Sequence, residues 1–100
     1  FRGIHLKKAG PDYSLWLPDG RSGLIEVKSG KQPTLDPLQI TMLAQTLNWG
    51  YLSLVLYRSP SAEWYLMHYR DWAPCKSRSP SFITRTGVSL GETPDFLEHL

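Results

Sequence analysis

From Tyr51 to Tyr57 nearly every residue is apolar, the pattern of a β-strand covered on both faces rather than one half-open to water. Such a strand needs a layer on each side of its sheet, and the residues before it supply a helix. Asp36 followed by Pro37 reads as an N-cap with proline at the first helical position, and Gln39 completes a capping box. Ile40, Leu43, Ala44 and Leu47 then recur at helical spacing and are expected to face inward, and Asn48-Trp49-Gly50 supplies a stop. Ahead of the helix, Tyr13 to Leu17 and Leu24 to Lys28 read as two strands joined by the polar, glycine-rich connection of residues 18–23, with a loop over 29–34. Pro60 ends the apolar strand, and Glu63 to Tyr69 is the next one. Residues 1–8 fit either a strand or the end of a helix.

From Pro74 onward the texture turns to Ser, Pro, Arg and Gly, which predicts an irregular tail with a short terminal helix at Pro94 to Leu100. The division expected is one domain over 1–73 and an extension over 74–100, packed on it or trailing it. One hundred residues, 41% of them hydrophobic and 12% aromatic, suit a single core. The four Trp and five Tyr are expected to fill that core, with any surplus serving an oligomer interface. A single cysteine, Cys75, excludes an internal disulfide framework. No stretch approaches the ~18 apolar residues that cross a membrane, and no secretory pattern opens the sequence, so an intracellular soluble protein is expected.

The net charge is only +2, so no strong basic field advertises nucleic acid. Local clusters say more. Arg2, His5, Lys7 and Lys8 precede Asp12; Arg21, Lys28 and Lys31 surround the second strand of the hairpin; Lys76, Arg78 and Arg85 lie in the last third. Such cations form a rim able to grip phosphates if carboxylates gather between them.

Glu26-Val27-Lys28 is where carboxylates would gather. On a strand Glu26 and Lys28 share one face, and Val27 is expected to point into the core on the other. A carboxylate that can hold a divalent cation, beside an ammonium that can orient water or neutralise a phosphate oxygen, is what phosphodiester hydrolysis needs. The hairpin brings Asp12 to the same end of the neighbouring strand as a second carboxylate. Each of these residues has a plainer use: Glu-x-Lys solvates exposed strands, Asp12 is a turn residue after Pro11, and Gln39 closes the capping box. Asp36 is a cap, Asp19 belongs to a turn, and His5 and His68 are read as surface or strand-face residues.

Gly10-Pro11-Asp12, a hairpin, Ile25-Glu26-Val27-Lys28-Ser29-Gly30-Lys31 and then Leu35-Asp36-Pro37-Leu38-Gln39 together resemble the PD-(D/E)XK nuclease superfamily. Within it the pattern is most similar to the VRR-NUC (virus-type replication-repair nuclease) family of phage, bacterial and DNA-repair proteins, over residues 10–57. The resemblance implies an α/β fold with a restriction-endonuclease-like core, a mixed central β-sheet flanked by helices. It implies Asp12, Glu26 and the Val27 carbonyl as ligands of Mg²⁺ or Mn²⁺, Lys28 at the attacking water or scissile phosphate, and Gln39 positioning lysine or substrate. Lys7, Lys8, Arg21 and Lys31 are the expected nucleic-acid contacts. The family often adds a Glu from an N-terminal helix. The residues ahead of Asp12 hold no acid, which leaves that ligand to a segment upstream of Phe1 or to a site that works without it.

The activity implied is metal-dependent endonucleolytic hydrolysis of DNA, on duplex, flapped or branched intermediates of replication and recombination, by a homodimer where two strands are cut. Three alternatives stay open on the residues alone: a non-catalytic nucleic-acid-binding module, an RNA endonuclease, and an interaction domain carrying the motif by accident.

Overall fold

The computed structural model describes residues 5–9, 12–31, 34–72, 83, 85–96, 99 and 100, and for 5–9 and Asp12 it describes the backbone only. In chain order the elements are strands β1 (His5–Ala9), β2 (Asp12–Trp16) and β3 (Ser22–Ser29), helix α1 (Pro37–Asn48), strands β4 (Leu52–Arg58) and β5 (Trp64–His68), the single turn α2 (Tyr69–Trp72), and strand β6 (Val88–Gly91). The strands form one six-stranded sheet in the order β1-β2-β3-β4-β5-β6. Among the described strands only β3 and β4 run parallel, because the helix between them returns the chain to the same end of the sheet.

β4 is central, and Ser53 through Tyr57 are all buried, as a strand with both faces covered requires. Its side chains alternate between two cores. Val55 and Tyr57 join Leu43 of α1, Tyr65, Met67, Tyr69, Trp72 of α2 and Ile83. Leu54 and Leu56 join Leu15, Leu17, Ile25, Leu66 and Phe96 on the opposite face. The Ser53 hydroxyl donates to the Leu43 carbonyl at 2.8 Å and ties α1 to the sheet. Between β3 and β4 the backbones approach closely at Gly23, where a Cβ would stand 1.9 Å from the Leu52 carbonyl oxygen; only glycine fits there.

Both ends of α1 follow the residues read for them. Asp36 accepts from the Gln39 backbone N–H at 2.9 Å while the Gln39 side chain accepts from the Asp36 N–H at 3.0 Å, a closed capping box. At the other end Gly50 adopts φ +84°, and the Gly50 and Tyr51 N–H groups donate to the carbonyls of Leu47 and Thr46, a Schellman stop that requires the left-handed residue. Leu43, Ala44 and Leu47 pack on the core as expected, and Ile40 does not. Gln39, Leu43 and Thr46 are buried, whereas Ile40 is exposed, because the helix is rotated to turn Gln39 toward the sheet.

Other readings are also corrected. Val27 is 36% exposed rather than part of the core, since β3 extends past its described pairing with β2 at that end. The aromatic residues divide: Tyr57, Tyr65, Tyr69 and Trp72 are buried, but Trp16, Trp49 and Tyr51 lie open on the surface. Of residues 1–8, those from His5 onward are a strand, β1, at one edge of the sheet. In the last third the structure contains strand β6, paired antiparallel with β5, and Pro94 to Phe96 are not helical. Lys76 and Arg78 fall outside the described residues. Among the described residues no helix is long and apolar enough to cross a membrane.

Phe96 and Ile83 show how the last third holds on: both side chains are fully buried, one in each core. Truncating Phe96 to alanine is expected to cost about 3–5 kcal/mol of unfolding free energy, read by urea denaturation. A loss below about 1 kcal/mol would mean that this segment merely rests against the sheet.

Candidate active site

At the C-terminal half of β3 the sheet face beneath α1 carries Glu26 and Lys28. Glu26 is 5% exposed, and a carboxylate that deep needs partners, since water is not there to solvate it. Its Oε1 accepts from the Gln39 Nε2 at 2.5 Å, and the Lys28 Nζ lies 3.7 Å from the same oxygen. Its second oxygen, Oε2, is buried with no hydrogen-bond partner among the described residues. Gln39 therefore has a second partner besides the helix cap. Its amide oxygen closes the capping box and its amide nitrogen reaches the carboxylate.

The antiparallel register of β2 and β3 pairs Tyr13 with Ile25 and Ser14 with Leu24. Carried one residue further, it sets the Asp12 backbone across from Glu26; the Asp12 side chain lies outside the described ones. Lys7 and Lys8 are backbone neighbours of Ser14 and Tyr13 on β1, at the same end of the sheet, and their side chains are likewise outside the description. Lys31 is exposed in the loop after β3. Arg21 is elsewhere: it precedes the first residue of β3, at the opposite end from Lys28. Its guanidinium pairs with Asp19 at 2.7 Å and donates to the Leu100 carbonyl at 3.0 Å. In return the Arg21 backbone N–H, and then its side chain, hold the Asp19 carboxyl below its usual range. His68 stands at the far side of β4, and burial, with Arg70 nearby, lowers its pKa.

One residue of this region was not singled out from the sequence. Tyr57 is the parallel-register neighbour of Lys28 on β4, and its hydroxyl donates to the carbonyl of Gly30. The turn that follows the Glu26-Lys28 strand is thus pinned from beneath, with Gly30 at φ +99°. Burial raises the Tyr57 pKa, so the phenol stays a donor. The available signal was its position: a tyrosine closing an otherwise aliphatic buried strand needs a partner for its hydroxyl.

A buried carboxylate oxygen left without a donor offers the oxygen ligand that hard divalent cations take. Glu26 fits Mg²⁺ or Mn²⁺ on that observation. Among the described residues no group of three or more His, Cys, Asp or Glu surrounds it; the Asp12 side chain is not among them.

Compared with solved structures, the chain is similar to Hjc, a Holliday junction resolvase from the archaeal hyperthermophile Archaeoglobus fulgidus, with a TM-score of 0.63 over 93% of this chain and 88% of that one, at 19% sequence identity. The likeness establishes the fold: an α/β, restriction-endonuclease-like core with a mixed sheet and helices. No protein-family model and no curated protein sequence matches the chain.

The two halves of the capping box separate the roles of Gln39. Asp36→Ala removes the helix cap alone and is expected to cost about 1 kcal/mol. Gln39→Ala also removes the donor to the buried Glu26 carboxylate and is expected to cost about 2–3 kcal/mol. Equal losses in urea denaturation would show that the bond to Glu26 contributes nothing.

Proposed function

We propose that this chain is a nuclease of the PD-(D/E)XK superfamily, nearest in pattern to the VRR-NUC family, that hydrolyses DNA phosphodiester bonds with Mg²⁺ or Mn²⁺. The observation that carries the reading is the Glu26 carboxylate: buried, with Oε2 unpartnered, and with the Lys28 ammonium 3.7 Å from its other oxygen. A merely structural Glu-x-Lys pair would sit in water, where neither charge needs the other.

In this reading Glu26 and Asp12, with the Val27 carbonyl, hold the cation, which when bound supplies Lewis acidity toward water and phosphate. The remaining work belongs to the chain. Lys28 presents its charge where the scissile phosphate would lie, orienting the attacking water or offsetting charge on a phosphate oxygen. Gln39 fixes the rotamer of Glu26 by its short hydrogen bond and so keeps the second oxygen free for a ligand. Lys7, Lys8 and Lys31 would contact the backbone on either side.

Branched DNA is favoured as the substrate by the junction resolvase that shares the fold. A substrate with two scissile strands calls for two sites, and hence for a homodimer. RNA is the competing substrate, because the same carboxylate and lysine can act on either backbone.

The test is cleavage of labelled duplex, single-stranded, flap and four-way-junction DNA and one RNA, with Mg²⁺, Mn²⁺ or EDTA. Cutting of DNA that needs the metal is expected, and Lys28→Ala should slow it by roughly 10²–10³-fold. Binding without cutting would favour the non-catalytic module. A second measurement needs no turnover: Mg²⁺ or Mn²⁺ should raise the melting temperature of the wild type through binding to the native state and leave Glu26→Gln unmoved. If both proteins respond alike, Glu26 is not a ligand.

A further inference from the structure

Between β2 and α1, on the same sheet face as Glu26, lies an open cleft of about 440 Å³. Ser14 and Trp16 of β2, Ser22 of β3, Gln45 of α1, and Trp49 and Tyr51 of the helix stop are among the residues that line it. Trp16, Trp49 and Tyr51 are 46, 70 and 52% exposed, although large aromatic rings gain most from burial. The Schellman stop holds Trp49 and Tyr51 on either side of Gly50, so their placement is built into the backbone.

Each element that supplies the proposed catalytic site continues into this cleft. β3 carries Glu26, Leu24 and Ser22 in alternation, β2 runs from the Asp12 position through Ser14 to Trp16, and α1 carries Gln39, Met42 and Thr46 along one stripe that its C-cap, Trp49, continues. From Glu26 to Ser22 the strand spans about 13 Å, a distance that a short stretch of single strand covers. Among the described residues none that lines the cleft is charged. Lys28 stands past Glu26 at one end; at the other, Arg21, already paired with Asp19 and the Leu100 carbonyl, lines the adjoining cavity that shares Ser22 and Tyr51.

We infer that this cleft receives an unpaired base of the DNA strand held at Glu26 and Lys28. The inference rests on the nuclease reading of that site and adds its substrate class: DNA carrying unpaired nucleotides next to the cut. Exposed aromatic faces stack any base, the Gln45 amide and the serine hydroxyls offer donors and acceptors to its edge, and Lys28 suits the phosphate on the side of Glu26. A base inside an intact duplex has both faces covered by its neighbours and cannot enter without being flipped out.

Trp49 gives a clean test, because its side chain is largely exposed and only its backbone N–H serves the helix stop. Affinity is measured in EDTA for a blunt duplex, a flap, and the same flap with abasic nucleotides, using wild type, Trp49→Ala and Trp49→Phe, with thermal melts to verify folding. Trp49→Ala is expected to weaken the base-bearing flap by roughly ten- to a hundredfold while changing the other two DNAs by less than about twofold, and Trp49→Phe should recover most of the loss. Equal weakening on all three DNAs, or none, overturns the inference. So does a variant that becomes monomeric by sedimentation while its flap affinity is kept, which would make the cleft a contact between copies. The underlying reading is separable: wild type that prefers the base-bearing flap but never cuts with Mg²⁺ or Mn²⁺ removes the nuclease and leaves the base site. Lys28-dependent cutting indifferent to Trp49 removes the base site alone.

Discussion

The hydrogen bond from Gln39 to Glu26 is the constraint around which the rest is arranged. A carboxylate 5% exposed is stable in its charged form only where dipoles and cations stand in for water, and one amide on the first turn of a helix supplies much of that here. The same amide closes the capping box, so where α1 begins, how it is rotated, and where the carboxylate points are one decision. Ile40 is left facing solvent as a consequence, an apolar side chain given up so that a polar one can face the sheet.

Strand β3 transmits this arrangement along its length. It is held from the β4 side by the close approach at Gly23, and its exit turn is held by the Tyr57 hydroxyl at Gly30. One end of its helix-covered face therefore presents a buried acid and a lysine, and the other opens into a cleft walled by Trp16, Trp49 and Tyr51. A rigid strand and a capped helix fix the separation of the two, which a pair of loops would not.

Much of the architecture was legible from local chemistry. The capping box, the glycine stop, the hairpin connection and the doubly covered strand each depend on residues within a few positions of one another, and each appears in the structure. β6 was not legible, because an edge strand in Ser- and Gly-rich sequence has little periodicity of its own and is ordered by pairing with β5. The same holds for Phe96 and Ile83, which carry no local signal and are buried because the sheet leaves room for them.

What the sequence by itself determined is the set of chemical groups and their spacing: an acid and a lysine two residues apart on a strand, a glutamine at a capped helix start, and a helix ended by glycine. Short-range geometry is enough for that, since alternation along a strand and the caps of a helix are properties of neighbouring residues. Only the tertiary structure decided which of these groups meet. It joined Gln39 to Glu26, left one carboxylate oxygen without a donor, tied Arg21 to the Leu100 carbonyl, and turned Trp16, Trp49 and Tyr51 outward instead of into the core. Those outcomes depend on strand register and helix rotation, and both are set by the packing of residues distant in the chain.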